Sequence, residues 1–138
     1  MRVIEGTTIK INRGDYLPIK LKAKQPTFDE NGDVVVDEHG NPVLIDYIFQ
    51  DGETIQFGIY EKKKYDKNAL LLKEVIVEEA TSTVEFTITS QEMKIGKLIN
   101  KPKDYWYEVT MDGGQTLIGY DENGAKILRL YPEGSEVI

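Results

Sequence analysis

Few residues of this chain combine type and spacing in a way that could do chemistry. The sole histidine, His39, lies inside the turn-like stretch Asp37-Glu-His-Gly40, where a residue tolerant of left-handed backbone is expected, rather than beside a nucleophile. No serine or threonine has an identifiable base partner, no glycine-rich phosphate loop follows a strand, and no paired histidines occur. Glu78 and Glu79 are neighbours on one extended segment, so they face opposite sides and cannot flank a single scissile bond. Asp29-Glu-Asn-Gly-Asp33 has the look of an oxygen-ligand loop for calcium. The twelfth residue counted from Asp29 is Gly40, however, where an EF-hand needs a bidentate glutamate. A hairpin turn is the simpler reading. Arg13-Gly14-Asp15 spells an integrin-type tripeptide, but Gly-Asp between two strands is already accounted for as turn chemistry. These residues imply no enzyme, no metal and no cofactor.

Absent residue types narrow the field further. The chain contains no cysteine, which removes disulfides, thiolate nucleophiles and thiolate-bound metals together. A net charge of -7 argues against nucleic acid as a partner, because neutralising phosphates takes clustered lysine and arginine. Lys62-Lys63-Lys64 is the only basic run and reads as a solvated turn. The segment beginning Met1-Arg-Val-Ile-Glu lacks a signal-peptide apolar region, and no stretch is long enough to span a membrane as a helix. Synthesis and assembly in a cytoplasm are the expectation, with no membrane partner.

What must position any functional surface is a set of strands. With 138 residues, 40% hydrophobic and 30% charged, the chain suits a single domain with one core. Apolar residues alternate at Ile9 and Ile11, at Leu17, Ile19, Leu21 and Ala23, and at Val43, Ile45, Tyr47 and Phe49. The same period recurs at Ile55, Phe57 and Ile59, at Val84, Phe86 and Ile88, and at Tyr105, Tyr107, Val109 and Met111. Leu70 to Val77 is denser and fits a strand buried on both sides or one carrying a bulge. Asp29-Glu-Asn-Gly32, Asp37-Glu-His-Gly40 and Asp121-Glu-Asn-Gly124 repeat one turn chemistry, and Asp112-Gly-Gly-Gln115 makes a further tight turn. About eight to ten short strands so punctuated predict an all-β antiparallel sandwich of immunoglobulin-like type, with a barrel as the lesser alternative. Ser90-Gln-Glu-Met-Lys-Ile-Gly96 is the one helical candidate, a single turn with Ser90 as its cap. Residues 25–46 offer little to a core and predict an extra hairpin projecting from the sandwich, with Val34, Val35 and Val36 as its strand and His39 at a turn. Residues 132–138 form a C-terminal tail.

Register also places the aromatics. If Tyr105 and Tyr107 face the core, Trp106 faces outward between Asp104 and Glu108, and Tyr60 faces outward after Ile59. Exposed aromatics among polar residues are typical of binding hot spots. The other reading has a bulge flip the register and bring Trp106 into the core. The candidate interface therefore comprises Trp106, Tyr60, Val34, Val35, Val36 and His39.

Taken in order, Phe49-Gln-Asp-Gly-Glu-Thr-Ile-Gln-Phe-Gly-Ile-Tyr60, Leu72-Lys-Glu-Val-Ile-Val77, Val84-Glu-Phe-Thr-Ile-Thr89, Glu92-Met93 and Asp104-Tyr-Trp-Tyr-Glu-Val109 resemble a known group. They are similar to small structural proteins of tailed phages and prophages of Gram-positive gut bacteria (Firmicutes), notably the immunoglobulin-like N-terminal domain of baseplate upper proteins. The likeness spans residues 49 to 120. Unlike multi-domain baseplate proteins, this chain ends soon after Pro132-Glu-Gly134. The resemblance implies a virion protein: a head decoration, a head–tail connector accessory, or a tail or baseplate component. Its partners would be capsid, connector or tail subunits in a homo-oligomer or symmetric array. The alternative is a carbohydrate-binding, host-adhesion module that stacks glycans on the outward aromatics.

Overall fold

Strands that are apolar on one face need a second layer to cover that face. In a computed structural model, which describes residues 2–5, 7–62, 68–112, 114–119 and 125–136, two sheets do this. The strands are β1 (Arg2–Glu5), β2 (Thr8–Asn12), β3 (Leu17–Leu21), β4 (Lys24–Pro26), β5 (Leu44–Asp46) and β6 (Thr54–Tyr60). They continue with β7 (Ala69–Ile76), β8 (Val84–Ile88), β9 (Lys103–Met111), β10 (Gln115–Ile118) and β11 (Ile127–Tyr131). The described residues include no helix, and the chain is all-β.

The large sheet runs β1-β2-β11-β9-β6-β7. Its centre is β9, whose nine residues serve three neighbours. Strand β11 pairs with its first half, from Lys103 to Trp106, and β10 pairs with its last residues, from Val109 to Met111. Along the other edge β6 runs antiparallel from Ile55↔Met111 to Tyr60↔Trp106. The small sheet is the pair β3–β8, in register Leu17↔Ile88, Ile19↔Phe86 and Leu21↔Val84. Its inner side chains join one core with Ile11, Ile55, Phe57, Ile59, Tyr105, Val109, Leu128 and Leu130. Phe57 sits between the layers, stacked on Tyr107 at 5.7 Å and edge-to-face with Phe86 at 6.4 Å.

Several expectations change. The fold is not wholly antiparallel: β2 runs parallel to β11, with Ile9↔Leu128 and Ile11↔Leu130. Local turn chemistry cannot announce such a pair, because nearly the whole chain separates the two strands. Of the two readings of Leu70–Val77, the bulged strand is found and the doubly buried one is not. Strand β7 ends the sheet, alternates half-buried with exposed residues, and shifts register by one residue near Leu70, between Ile59↔Leu71 and Tyr60↔Ala69. The alternation at Val43 and Ile45 faces solvent; Tyr47 packs against the edge of the core and Phe49 is the first of this set to be fully buried in it. The 90–96 segment closes one turn, Met93 N–H to the Thr89 carbonyl, but does not continue as a helix. Thr89, not Ser90, caps it. The Glu92 amide donates to Thr89 Oγ1, and the Thr89 amide donates to Glu92 Oε1, a reciprocal capping box. Those bonds, with Lys73 beside them, hold the Glu92 carboxyl below its usual pKa.

Arg13 closes the structure at one end. Its Nε donates to the Ile95 carbonyl and its Nη2 to the carbonyls of Lys94 and Gly96, while Nη1 meets Glu133 at 2.8 Å. Because that guanidinium is committed to capping backbone, Arg13-Gly14-Asp15 is a structural corner. Buried Asn12 donates to the carbonyls of Pro132 and Ser135, so the tail folds back against β2 as far as it is described.

Candidate interaction surfaces

The 25–46 arm is built by repetition. Asp29 and Asp37 each accept two backbone N–H groups on Oδ1, from Asn31 and Asp33 and from His39 and Asn41 respectively. Each turn ends on a glycine of positive φ, Gly32 at 82° and Gly40 at 79°. The Oδ1 of Asp29 is thus engaged by its own turn. Among the described residues, no group of three His, Cys, Asp or Glu is arranged to hold a metal. His39 stands exposed on the second turn, 3.4 Å from Glu38.

Between the turns the arm is more than the two-stranded projection expected. Thr27 N–H donates to the Val43 carbonyl, Val43 N–H to Val35, and Val35 N–H back to Thr27. Three short extended segments thus satisfy one another around a closed ring, with β4 and β5 as its base, paired Lys24↔Asp46 and Pro26↔Leu44. An ion pair from Lys24 lowers the pKa of Asp46 at that base. Val35 lies half inside the ring, so alternation sends Val34 and Val36 out, where they meet Phe28 and Pro42 across isolated bridges. Phe28 (60%), Val36 (54%), Leu44 (54%), Ile45 (47%) and Val34 (42%) are exposed. Around them sit Asp29, Glu30, Asp33, Asp37, Glu38 and Asp46, while no lysine or arginine occurs between Lys24 and Lys62. The arm is apolar and uniformly acidic.

Where the arm meets the body, the Ala23 carbonyl accepts from Tyr47 N–H, and Tyr47 Oη donates to the Glu53 carboxylate. That bond to Glu53, with some burial, pushes the Tyr47 phenol up to about 12.

The second candidate surface is the outer face of the large sheet. Tyr105 and Tyr107 are buried and no bulge flips β9, so Trp106 does face away from the core. It is half-buried there between its partners Tyr60 and Ile127. Tyr60 is also half-buried. Its ring lies over Gly58, where an added Cβ would come within 2.5 Å of the phenol oxygen, and its hydroxyl is 3.3 Å from Glu108 Oε1. Asp104, on the same face, is bridged to Arg129 at 2.7 Å. Tyr60 therefore covers a glycine in a central strand rather than offering a bare stacking platform. Across the sheet edge, a cleft lined by Glu61, Leu70, Lys97, Lys103 and Tyr105 has one of its cations engaged. Lys103 binds Glu61 at 3.1 Å and lies 5.0 Å above the Tyr105 ring.

Of the residues singled out from sequence, Val34, Val35, Val36 and His39 gather on the arm, and Trp106 and Tyr60 pair on the sheet. These are two separate surfaces. Reasoning from sequence missed Phe28 and Leu44 on the arm and the exposed Leu72 and Ile76 on β7; the lack of any lysine or arginine from 25 to 61 was the available signal for the first pair. No family model, curated protein or solved structure matches the chain.

Proposed function

We propose that this chain is a non-enzymatic structural protein of a tailed-phage particle that docks through its 25–46 arm onto a basic, partly apolar surface of another virion subunit. The setting is a head decoration, a head–tail connector accessory, or a tail or baseplate component. One observation carries the docking role: an apolar cluster that a soluble protein would ordinarily bury stands in solvent on an arm without a single lysine or arginine. The phage setting is supported by the sequence likeness over residues 49 to 120. We read the fold as an immunoglobulin-like sandwich. Taking β3, β6, β7, β8, β9 and β11 as strands B, C, C′, E, F and G gives the neighbours B–E and G–F–C–C′ of a variable-type domain. The tryptophan usual on strand C is absent, with Phe57 on the corresponding strand, and no disulfide can form.

Mass spectrometry of purified particles of the encoding phage is the test. The chain is expected in stoichiometric amount; recovery only from the soluble lysate would reject the virion role. Should the chain instead bind polysaccharides with a change in Trp106 fluorescence, the adhesion reading takes its place.

A further inference from the structure

We infer that the free edge of β7 pairs antiparallel with β7 of a second copy of this chain, joining the two large sheets across a two-fold axis at Leu72. Strand β7 has eight residues and, among the described residues, nothing pairs with its outer side. Which backbone groups point outward follows from its end. Val77 N–H donates to the Glu53 carbonyl and the Val77 carbonyl accepts from Gly52 N–H, so the polar groups of Val77 turn toward β6. Alternation then turns those of Leu72, Glu74 and Ile76 toward solvent.

Natural sheets guard such edges with lysine, proline, marked bulges or covering loops, because an open ladder recruits another strand. Here the guards are missing or diverted. The strand contains no proline, and its register shift lies at one end, near Leu70. Its one lysine, Lys73, is drawn to the inner side and held by Glu92 at 3.1 Å. Glu74 accepts from Gln56 at 3.1 Å, on its own sheet. Beside the open ladder Leu72 (54%) and Ile76 (60%) are exposed.

Charge selects the occupant. The arm is uniformly acidic and repels its own copy, whereas β7 contains one lysine and one glutamate and is locally neutral. Geometry selects the register. In a continuous antiparallel sheet the two inner faces lie on one side, so residues of the same face must oppose one another. Two such registers use the whole strand. The one centred on Lys73 sets lysine opposite lysine, which is destabilising. The one centred on Leu72 places Leu72 opposite Leu72, Lys73 opposite Leu71 and Glu74 opposite Leu70, with no like charges facing. This pairing is independent of the virion reading, since it follows from the edge alone.

The absence of cysteine makes the test clean. Light scattering on the purified full chain is expected to give twice the 15.7 kDa protomer mass. Leu72→Cys, exposed and therefore tolerated, is expected to form a disulfide dimer under mild oxidation, because directly paired residues lie about 5.5 Å apart at Cα. In the same dimer two copies of Ile76→Cys are offset by eight residues, about 27 Å, and are expected to remain uncrosslinked. A monomer at every concentration would overturn the inference, as would cross-linking at position 76 equal to that at position 72. Neither outcome would bear on docking by the arm, which particle analysis tests separately.

Discussion

Excising the arm should leave the body folded, and the expected energy can be worked from its structure. Gln25 and Ile45 are a hydrogen-bonded antiparallel pair, so replacing residues 26–44 with Asn-Gly gives a two-residue hairpin of favoured geometry and keeps the Lys24–Asp46 pair. The rung behind it, Tyr47 N–H to the Ala23 carbonyl, is untouched. No residue from 24 to 46 belongs to the hydrophobic core or packs against it, whereas Ala23 and Tyr47 do, so the body loses essentially no buried apolar area. Shortening the connection lowers the closure entropy of the unfolded chain, stabilising the variant by about 1–2 kcal/mol. Phe57→Ala, an internal reference in the centre of the core, should cost about 3–5 kcal/mol. Urea unfolding followed by Trp106 fluorescence, a reporter on β9, measures both. The midpoint of the excised variant should match or exceed wild type, with a slightly smaller slope. Destabilisation by more than about 3 kcal/mol, the range of a core deletion, would refute the separation of arm from body.

Arg13→Ala leaves three backbone carbonyls and Glu133 without their donor and should cost about 2–3 kcal/mol in the same assay. Arg13→Lys should recover only part of this, since a single ammonium cannot span the three carbonyls. The ultraviolet absorbance of Tyr47, isolated as the difference from Tyr47→Phe, should titrate near 12 rather than 10. Because the folded value lies above the unfolded one, the stabilisation from the Tyr47–Glu53 bond is complete below pH 10 and is lost as pH rises through about 12. Glu53→Gln should bring the titration back toward the ordinary tyrosine value.

Period-two alternation was sufficient to find β2, β3, β6, β8 and β9 and to seat Tyr105 and Tyr107 in the core, since each has one dry face. It misjudged Val43 and Ile45, which alternate just as well on an arm that has no body to cover them. It left Leu70–Val77 open between a doubly buried strand and a bulged one, and the bulged one is found at the end of the sheet: an apolar run records the chemistry of a strand, not whether a neighbour lies beyond it. The parallel β2–β11 pair and the clasp made by Asn12 and Arg13 join residues more than 80 positions apart in every case, and no local pattern encodes them. The repeated Asp-Glu-x-Gly turns were legible at 29–32 and 37–40 because their chemistry is local; the third, at 121–124, lies outside the described residues. Gly113 in the 112–115 turn and two of the three lysines at 62–64 do so as well. On the sheet face, register gave the direction of Trp106 and Tyr60 but not their burial, which depends on Gly58 leaving room for the Tyr60 ring.

The most direct test of the arm as a docking element is competition for incorporation into particles. Wild-type chain and the folded arm-excised variant, supplied together during phage assembly, should partition sharply, with wild type in the particles and the variant left in the lysate. A moderate rise in salt should weaken wild-type reassociation, because salt screens the attraction that a contact through the arm's acidic side chains would use. Incorporation of both forms in equal amounts would contradict docking by the arm.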